Sequence, residues 1–180
     1  MKLCGMKKNE LAGSPAAYRL LAHMILSEHG ISMPEIKKTV AGKPYFSARP
    51  DIHFSISHSR THVLCAVGDS PVGCDIEAPR EVSRRVIDYA ASAEELEVFD
   101  FLDLWVLKES YIKLFGLTLA SVRKLYFSIH NDVITAPDPS VFCKLYKDIP
   151  GCPAALCSLS GSLPDTIDII DIGKLCAEII

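Results

Sequence analysis

Asp75 and Glu77 close the apolar segment Val72-Gly73-Cys74-Asp75-Ile76-Glu77. In an extended strand, alternation places Gly73, Asp75 and Glu77 on one face and Val72, Cys74 and Ile76 on the other. Adjacent carboxylates repel unless a cation lies between them. Hard oxygen ligands beside a glycine that leaves room for a ligand suit Mg²⁺, which is commonly held by one or two carboxylates plus substrate phosphates. A solvated strand end would show the same two acids, so the pair alone does not decide. A second group is Trp105-Val-Leu-Lys108-Glu109-Ser-Tyr-Ile-Lys113. Glu109 and Lys113 have the spacing of a surface ion pair worth about 0.3–0.5 kcal/mol on a helix, yet Trp105, Val106 and Ile112 around them are apolar. Glu109 is therefore a candidate third carboxylate, and Lys108 and Lys113 are candidates to neutralise phosphate oxygens. A third group, Phe54-Ser55-Ile56-Ser57-His58-Ser59-Arg60, gathers hydroxyls, backbone amides, an imidazole and a guanidinium suited to a phosphate. Zinc at His53, His58, His62 and Cys65 fits no metal-ligand spacing, and a nucleophilic Ser57 or Ser59 lacks the G-x-S-x-G elbow.

These groups need elements to bring them together. Ser14-Pro15 reads as a helix start; Ala17, Leu20, Leu21, Met24 and Ile25 follow at helical spacing, and Gly30 is placed to end the helix. Gly42-Lys43-Pro44 marks a turn, after which 52–56, 62–67 and 72–77 read as strands. From 79 to 115 the signal is helical, restarted where Ser92 and Glu95 form a capping box. On the last of these helices Leu104, Leu107, Tyr111, Leu114 and Phe115 make one stripe, with Glu109 and Lys113 about half a turn away. Strand candidates follow at 125–129, 133–135, 141–146, 154–159 and 166–170. Two echoes point to a duplicated α+β unit: Phe54-Ser55-Ile56 with Phe127-Ser128-Ile129, and Leu64-Cys65-Ala66-Val67 with Leu156-Cys157-Ser158-Leu159. A site at the seam between two such halves is then expected.

The 180 residues, 49% hydrophobic, are enough for one domain with its own core and exclude a disordered chain. Nineteen Lys+Arg against 22 Asp+Glu leave no excess of positive charge for a polyanion, so no nucleic-acid partner is expected. No run approaches the roughly 18 apolar residues of a membrane span, and Lys2, Lys7, Lys8, Asn9 and Glu10 interrupt any signal-peptide core. A soluble, cytoplasmic protein without a membrane partner is expected. The seven cysteines, Cys176 included, are odd in number and contain no Cys-x-x-Cys pair, as for reduced thiols.

Taken in order, Gly42-Lys43-Pro44, Phe54-x-Ile56-Ser57-His58-Ser59, Val72-Gly73-x-Asp75-Ile76-Glu77 and Trp105-x-x-Lys108-Glu109-Ser110-x-x-Lys113 resemble the 4′-phosphopantetheinyl transferases of the surfactin-synthetase-activating type. Each block is weak alone; four in sequence are specific. The resemblance implies an α+β fold of two similar α/β halves in pseudo-twofold arrangement, with antiparallel sheets and packed helices. It implies one domain over 1–180, with halves of about 1–78 and 79–180, acting as a monomer. The implied reaction moves 4′-phosphopantetheine from coenzyme A to a serine of an apo acyl or peptidyl carrier protein and releases adenosine 3′,5′-bisphosphate. Such activity is of the holo-[acyl-carrier-protein] synthase type and serves fatty-acid, polyketide or nonribosomal-peptide synthesis. By the same resemblance Asp75, Glu77 and Glu109 hold Mg²⁺, Glu109 is also the base, and Lys113 holds the pyrophosphate. Ser57 and His58 contact the phosphates, and Lys43 and Pro44 line the adenine and 3′-phosphate end.

Relatives often place basic residues ahead of the first helix. The resemblance finds no match for those residues here, which leaves Lys43, His58 and Arg19 as the expected grip on the 3′-phosphate. Carrier proteins of these pathways are acidic around the acceptor serine, so 89–99 together with Arg84 and Arg85 is the expected docking surface. A catalytically degenerate relative that binds coenzyme A or a carrier, and a Mg²⁺-dependent phosphohydrolase, stay open as alternatives.

Overall fold

A strand that is covered on both faces needs apolar residues at nearly every position, and a helix needs them only on one stripe. The chain obeys both rules. The computed structural model describes residues 1–8 and 12–171; Asn9, Glu10 and Cys176 lie outside the described residues. In order the elements are β1 (Lys2–Lys7), α1 (Gly13–His29), β2 (Ile36–Lys38), β3 (Pro44–Phe46), β4 (His53–His58), β5 (His62–Gly68) and β6 (Val72–Ile76). Then come α2 (Arg84–Ala90), α3 (Ala93–Val98), α4 (Phe101–Phe115), a 3-10 turn at Leu119–Lys124, β7 (Ser128–His130), β8 (Val133–Thr135), β9 (Phe142–Tyr146), β10 (Ala154–Ser158) and β11 (Asp168–Ile169). Gly30 and Gly116 end α1 and α4 at φ 65° and 64°, a left-handed conformation that costs glycine little. Ser92 and Glu95 make the expected capping box on α3. The start of α1 differs from expectation: Ala12 is its N-cap, and the Ser14 hydroxyl lies 3.5 Å from His58 Nε2 instead of capping the helix.

One sheet has the order β11-β1-β5-β4, a second has β6-β10-β9-β8-β7, and β2 and β3 form a separate hairpin. The fold is α+β with antiparallel neighbours throughout, save β1 and β11, which run parallel. β11 returns to β1 from the other sheet by a long connection, so no hairpin dictates its direction. The same connectivity occurs twice. A strand (β1 or β6) leads to a helix (α1 or α4), and a hairpin (β4–β5 or β9–β10) returns to pair with that strand. The Leu64 and Leu156 echoes lie in β5 and β10, which correspond. The Phe54 and Phe127 echoes do not: Phe54 is in β4 beside β5, whereas Phe127 leads into β7 at the far edge of the second sheet.

Packing follows from alternation along β5. Val63, Cys65 and Val67 face a core beneath α1 with Leu20, Leu21 and Met24. Leu64 and Ala66 face a core between the sheets with Leu3, Cys74, Ile76 and Leu156. A third core lies beneath α4, where Leu104, Leu107 and Leu114 meet Phe127, Ala155 and Cys157.

Gly73 does not open space for a ligand beside the acids, contrary to the expectation from its position. α4 lies directly on it: a Cβ there would stand 2.1 Å from the Ser110 carbonyl oxygen and 2.4 Å from the Leu114 amide nitrogen. Both are backbone atoms that cannot swing aside. Gly73→Ala is expected to destabilise the fold by about 3 kcal/mol or more, lowering the melting temperature by roughly 6–12 °C for a chain of this size. An unchanged melting curve would show that α4 moves off β6 freely.

Candidate active site

The close approach at Gly73 sets one stripe of α4 over the seam between the sheets. Trp105, Glu109 and Lys113 recur every four residues along that stripe, which is one helical face with a slow drift. Lys113 Nζ donates to Asp75 Oδ1 at 2.6 Å and to Ser57 Oγ at 2.9 Å, and Ser57 Oγ itself donates to the same Asp75 oxygen at 2.6 Å. No ladder joins β4 to β6 among the described residues; side chains tie them instead. Besides Ser57 and Asp75, the Cys74 amide donates to Ser55 Oγ at 3.0 Å. Asp75 is thus fixed from two elements at once.

Glu109 is the carboxylate with least compensation. Burial pushes its pKa above the ordinary glutamate value, Asp75 and Glu77 push in the same direction, and Lys113 pulls it back in part. For Lys113 burial works against the charge, yet Asp75, Cys74 and Glu109 outweigh it and hold the pKa above the usual lysine value. Asp75, Glu77, Glu109, Lys113, Ser57 and His58 line one cavity of about 410 Å³, together with Ser14, Tyr18 and Trp105. A second cavity of about 220 Å³, lined by Lys43, Pro44, Ser55 and Leu117, shares Ile56 and Lys113 with it.

Among the described residues no three His, Cys, Asp or Glu side chains converge closely enough to enclose a metal as they stand. Asp75 is engaged by Lys113 and Ser57, and Glu77 by Arg80 at 3.3 Å. The donor set nevertheless fits Mg²⁺: three carboxylates face one cavity, and their mutual repulsion is the condition that a hard cation relieves. Mg²⁺ also keeps several waters and substrate oxygens, so it does not need a closed protein cage.

Three expected donor-binding residues stand elsewhere or do something else. Lys108, one position before Glu109, is turned about 100° around the helix. It is buried with Nζ 2.8 Å from Glu95 Oε2 and 2.7 Å from the Ala90 carbonyl oxygen, so it cannot meet a phosphate in this cavity. Its partner Glu95 is more than a cap, for Oε1 also accepts the Phe127 amide at 2.9 Å. Lys43 does border the second cavity, but its ammonium donates to the Leu114 carbonyl at 2.5 Å and more weakly to Val72, closing the last turn of α4. Burial lowers its pKa. Arg19 is exposed on α1 and lines neither cavity.

Ser14, Tyr18 and Trp105 line the cavity too, residues that the motifs alone do not mark for the site. A signal was present: Ser14 and Tyr18 stand four apart on α1, and Trp105 stands four before Glu109.

The family whose profile matches residues 71–160 is the 4′-phosphopantetheinyl transferase superfamily. That stretch holds Asp75, Glu77, Glu109 and Lys113. The chain is 31% identical over 150 residues to the 4′-phosphopantetheinyl transferase Sfp of Bacillus subtilis (strain 168), covering 74% of this chain and 67% of that protein. The chain belongs to this superfamily. It is also similar to the 4′-phosphopantetheinyl transferase gsp of Aneurinibacillus migulanus, 28% identical over 191 aligned positions that cover 89% of this chain and 77% of that one. The protein psf-1 of Bacillus pumilus, a 4′-phosphopantetheinyl transferase, is 27% identical over 169 positions, covering 84% and 72%. Family membership makes the cavity at the seam the candidate site of a transferase. Among the described residues no helix is long and apolar enough to cross a membrane.

Proposed function

We propose that the protein transfers 4′-phosphopantetheine from coenzyme A to a serine of an apo acyl or peptidyl carrier protein in a Mg²⁺-dependent reaction that releases adenosine 3′,5′-bisphosphate. The observation that carries this reading is the meeting of Asp75, Glu77, Glu109, Lys113 and Ser57 on one cavity between the two sheets. The protein would act in the cytoplasm as a monomer, a single domain whose halves, about 1–78 and 79–180, share the site.

Asp75, Glu77 and Glu109 would hold Mg²⁺, which when bound would neutralise pyrophosphate charge and make the β-phosphorus more electrophilic. Lys113, oriented by Asp75 and Ser57, presents an ammonium that stays charged at neutral pH to the pyrophosphate oxygens. Ser57 and His58 supply donors at the same mouth, and Pro44 with Leu117 walls the second cavity for the adenosine end. Glu109 is the base. A serine hydroxyl is a poor nucleophile, so a carboxylate within hydrogen-bond reach of it, directly or through water, must take its proton. The hydroxyl gives its proton to Glu109, its oxygen bonds to the β-phosphorus, and the phosphoanhydride bond breaks with adenosine 3′,5′-bisphosphate as leaving group. Positioning and charge neutralisation are most of what such a transfer demands.

The decisive experiment incubates the protein with coenzyme A, Mg²⁺ and a panel of apo-carriers, read as a mass increase on the acceptor serine. Binding of coenzyme A with no carrier modified would instead support the degenerate reading, and donor cleavage without a carrier would support hydrolysis.

For the carrier we propose the surface of α2 and α3. Val86, Tyr89 and Val98 are exposed there, beside Arg85 and an Arg84 that pairs with Asp88 at 2.8 Å. Arg84 and Arg85 are the cations this surface offers an acidic partner, with Asp88, Glu94 and Glu97 exposed on the same two helices, and rim charges act mainly on association rate. Reversing Arg84 and Arg85 is expected to slow carrier modification roughly tenfold at low salt and to flatten its salt dependence. An unchanged salt dependence would place the docking surface elsewhere.

A further inference from the structure

Cys143 in β9 and Cys157 in β10 are directly opposed partners in the antiparallel ladder. Their Sγ atoms stand 2.8 Å apart. Opposed residues of such a ladder have Cα atoms about 4.5–5.5 Å apart, inside the range of roughly 4.4–6.8 Å that a disulfide spans, so bond formation needs no rearrangement of the sheet. The two thiols differ in access. Cys157 is fully buried beneath α4, 3.8 Å from the Leu107 carbonyl oxygen, whereas Cys143 is half-buried and borders a groove of about 770 Å³ lined by residues of β8 and β9. Neither residue lines the cavity assigned to transfer.

We propose that Cys143 and Cys157 are an oxidative modification site, a dithiol that closes to an intramolecular disulfide when a peroxide reaches Cys143 through the groove. Cys143 Sγ takes one peroxide oxygen and becomes a sulfenic acid while the other oxygen leaves as water. Cys157 Sγ then attacks the sulfenic sulfur: the S–S bond forms, the S–O bond breaks, and the hydroxyl departs with the Cys157 proton as a second water. Two thiols lose two electrons in all, and one peroxide accepts them. Cys157 is fully enclosed and out of a peroxide's reach, and its direct contact with Cys143 makes it the partner that closes the bond.

The chain carries its own comparison. Cys4 and Cys65 are likewise opposed, across β1 and β5, but both are enclosed, at 2% and 0% exposure. Opposition without access is expected to leave that pair reduced.

The test treats the full-length native protein with hydrogen peroxide, blocks remaining thiols with N-ethylmaleimide, and maps peptides by mass without reduction. The expected major product is a peptide joining Cys143 to Cys157, with loss of both free thiols and recovery by dithiothreitol. Cys157→Ser should abolish the linked peptide and increase dimedone capture at Cys143. In the wild type, oxidation of Cys143 to sulfinic acid with no linked peptide would overturn the proposal, as would a linkage from either residue to a different cysteine that forms first. Because the readout on the wild-type chain involves neither a carrier nor coenzyme A, its failure is distinguishable from failure of the transferase reading, and it does not depend on the folding of any variant.

Discussion

Glu109→Gln is expected to lower kcat/KM for carrier modification by about 10²–10⁴-fold, the usual contribution of a positioned general base, while the variant folds and melts above the wild type at neutral pH. The gain in stability follows from the surroundings of the carboxylate. Burial first, then Asp75 and Glu77, raise the folded-state pKa of Glu109 above the 4.5 of an ordinary glutamate. Between that value and the folded pKa the native state binds more protons than the unfolded state, so stability falls as pH rises through the window and the penalty is fully present above it. Glutamine removes the charge and the penalty together. Mg²⁺ should raise the wild-type melting temperature, since a cation bound only by the folded state stabilises it by mass action, and should do so much less for Glu109→Gln. A variant with wild-type kcat/KM, or with the wild-type melting response to Mg²⁺, would remove Glu109 from the site.

Asp75 is a less clean choice for the same experiment. From the sequence, removal of any one of the three carboxylates is expected to spare the fold, because uncompensated acids tend to cost stability. That argument suits Glu109 but not Asp75, which accepts from both Lys113 and Ser57. Deleting one partner of a buried pair costs about 3–5 kcal/mol, and here the low end applies because the Lys113 side chain keeps 29% of its exposure. Loss of activity in Asp75→Ala therefore mixes lost chemistry with lost structure.

The contrast between Lys108 and Lys113 shows where the sequence stops being informative. Strand alternation and helical period are local rules, and they were enough to put Asp75 and Glu77 on one face, Glu109 and Lys113 on another, and an apolar stripe beneath α4. They say nothing about what packs against each face. Both lysines lie within one motif, and only the placement of α2 and α3 sends Lys108 into a buried ion pair while Lys113 reaches the cavity. Gly73 is a similar case: an open space and a helix in van der Waals contact both favour glycine, and the choice lies in tertiary packing. Lys43 stands out in the sequence as a candidate cation for a phosphate, but not as a cap on α4, whose last turn lies about seventy residues away in the chain. The connectivity repeat was legible in part, since one echo falls in corresponding strands and the other falls in strands with unrelated neighbours.

The largest effect on stability is expected at Glu95. Its carboxylate is 2% exposed and has three partners: Lys108 Nζ at 2.8 Å, the Ser92 amide at 2.9 Å and the Phe127 amide at 2.9 Å. One side chain thereby joins the start of α3, the middle of α4 and the approach to β7. Glu95→Ala leaves the buried Phe127 amide without an acceptor and strips Lys108 of its counter-charge. Burial already lowers the Lys108 pKa, with Glu95 pulling it up, so loss of Glu95 shifts Lys108 toward its neutral form, which keeps the bond to the Ala90 carbonyl. That relaxation limits the cost of the lost ion pair but not the cost of the orphaned amide, which is about 1–3 kcal/mol by itself. A total of about 3–5 kcal/mol is expected, or roughly 6–20 °C in melting temperature. Lys108→Met should cost less, because Glu95 keeps both amide donors and the Met side chain refills most of the vacated volume. Thermal melts of the two variants at one pH decide the matter. If Lys108→Met is the more damaging, the ion pair and not the carboxylate with its amides is what anchors α4.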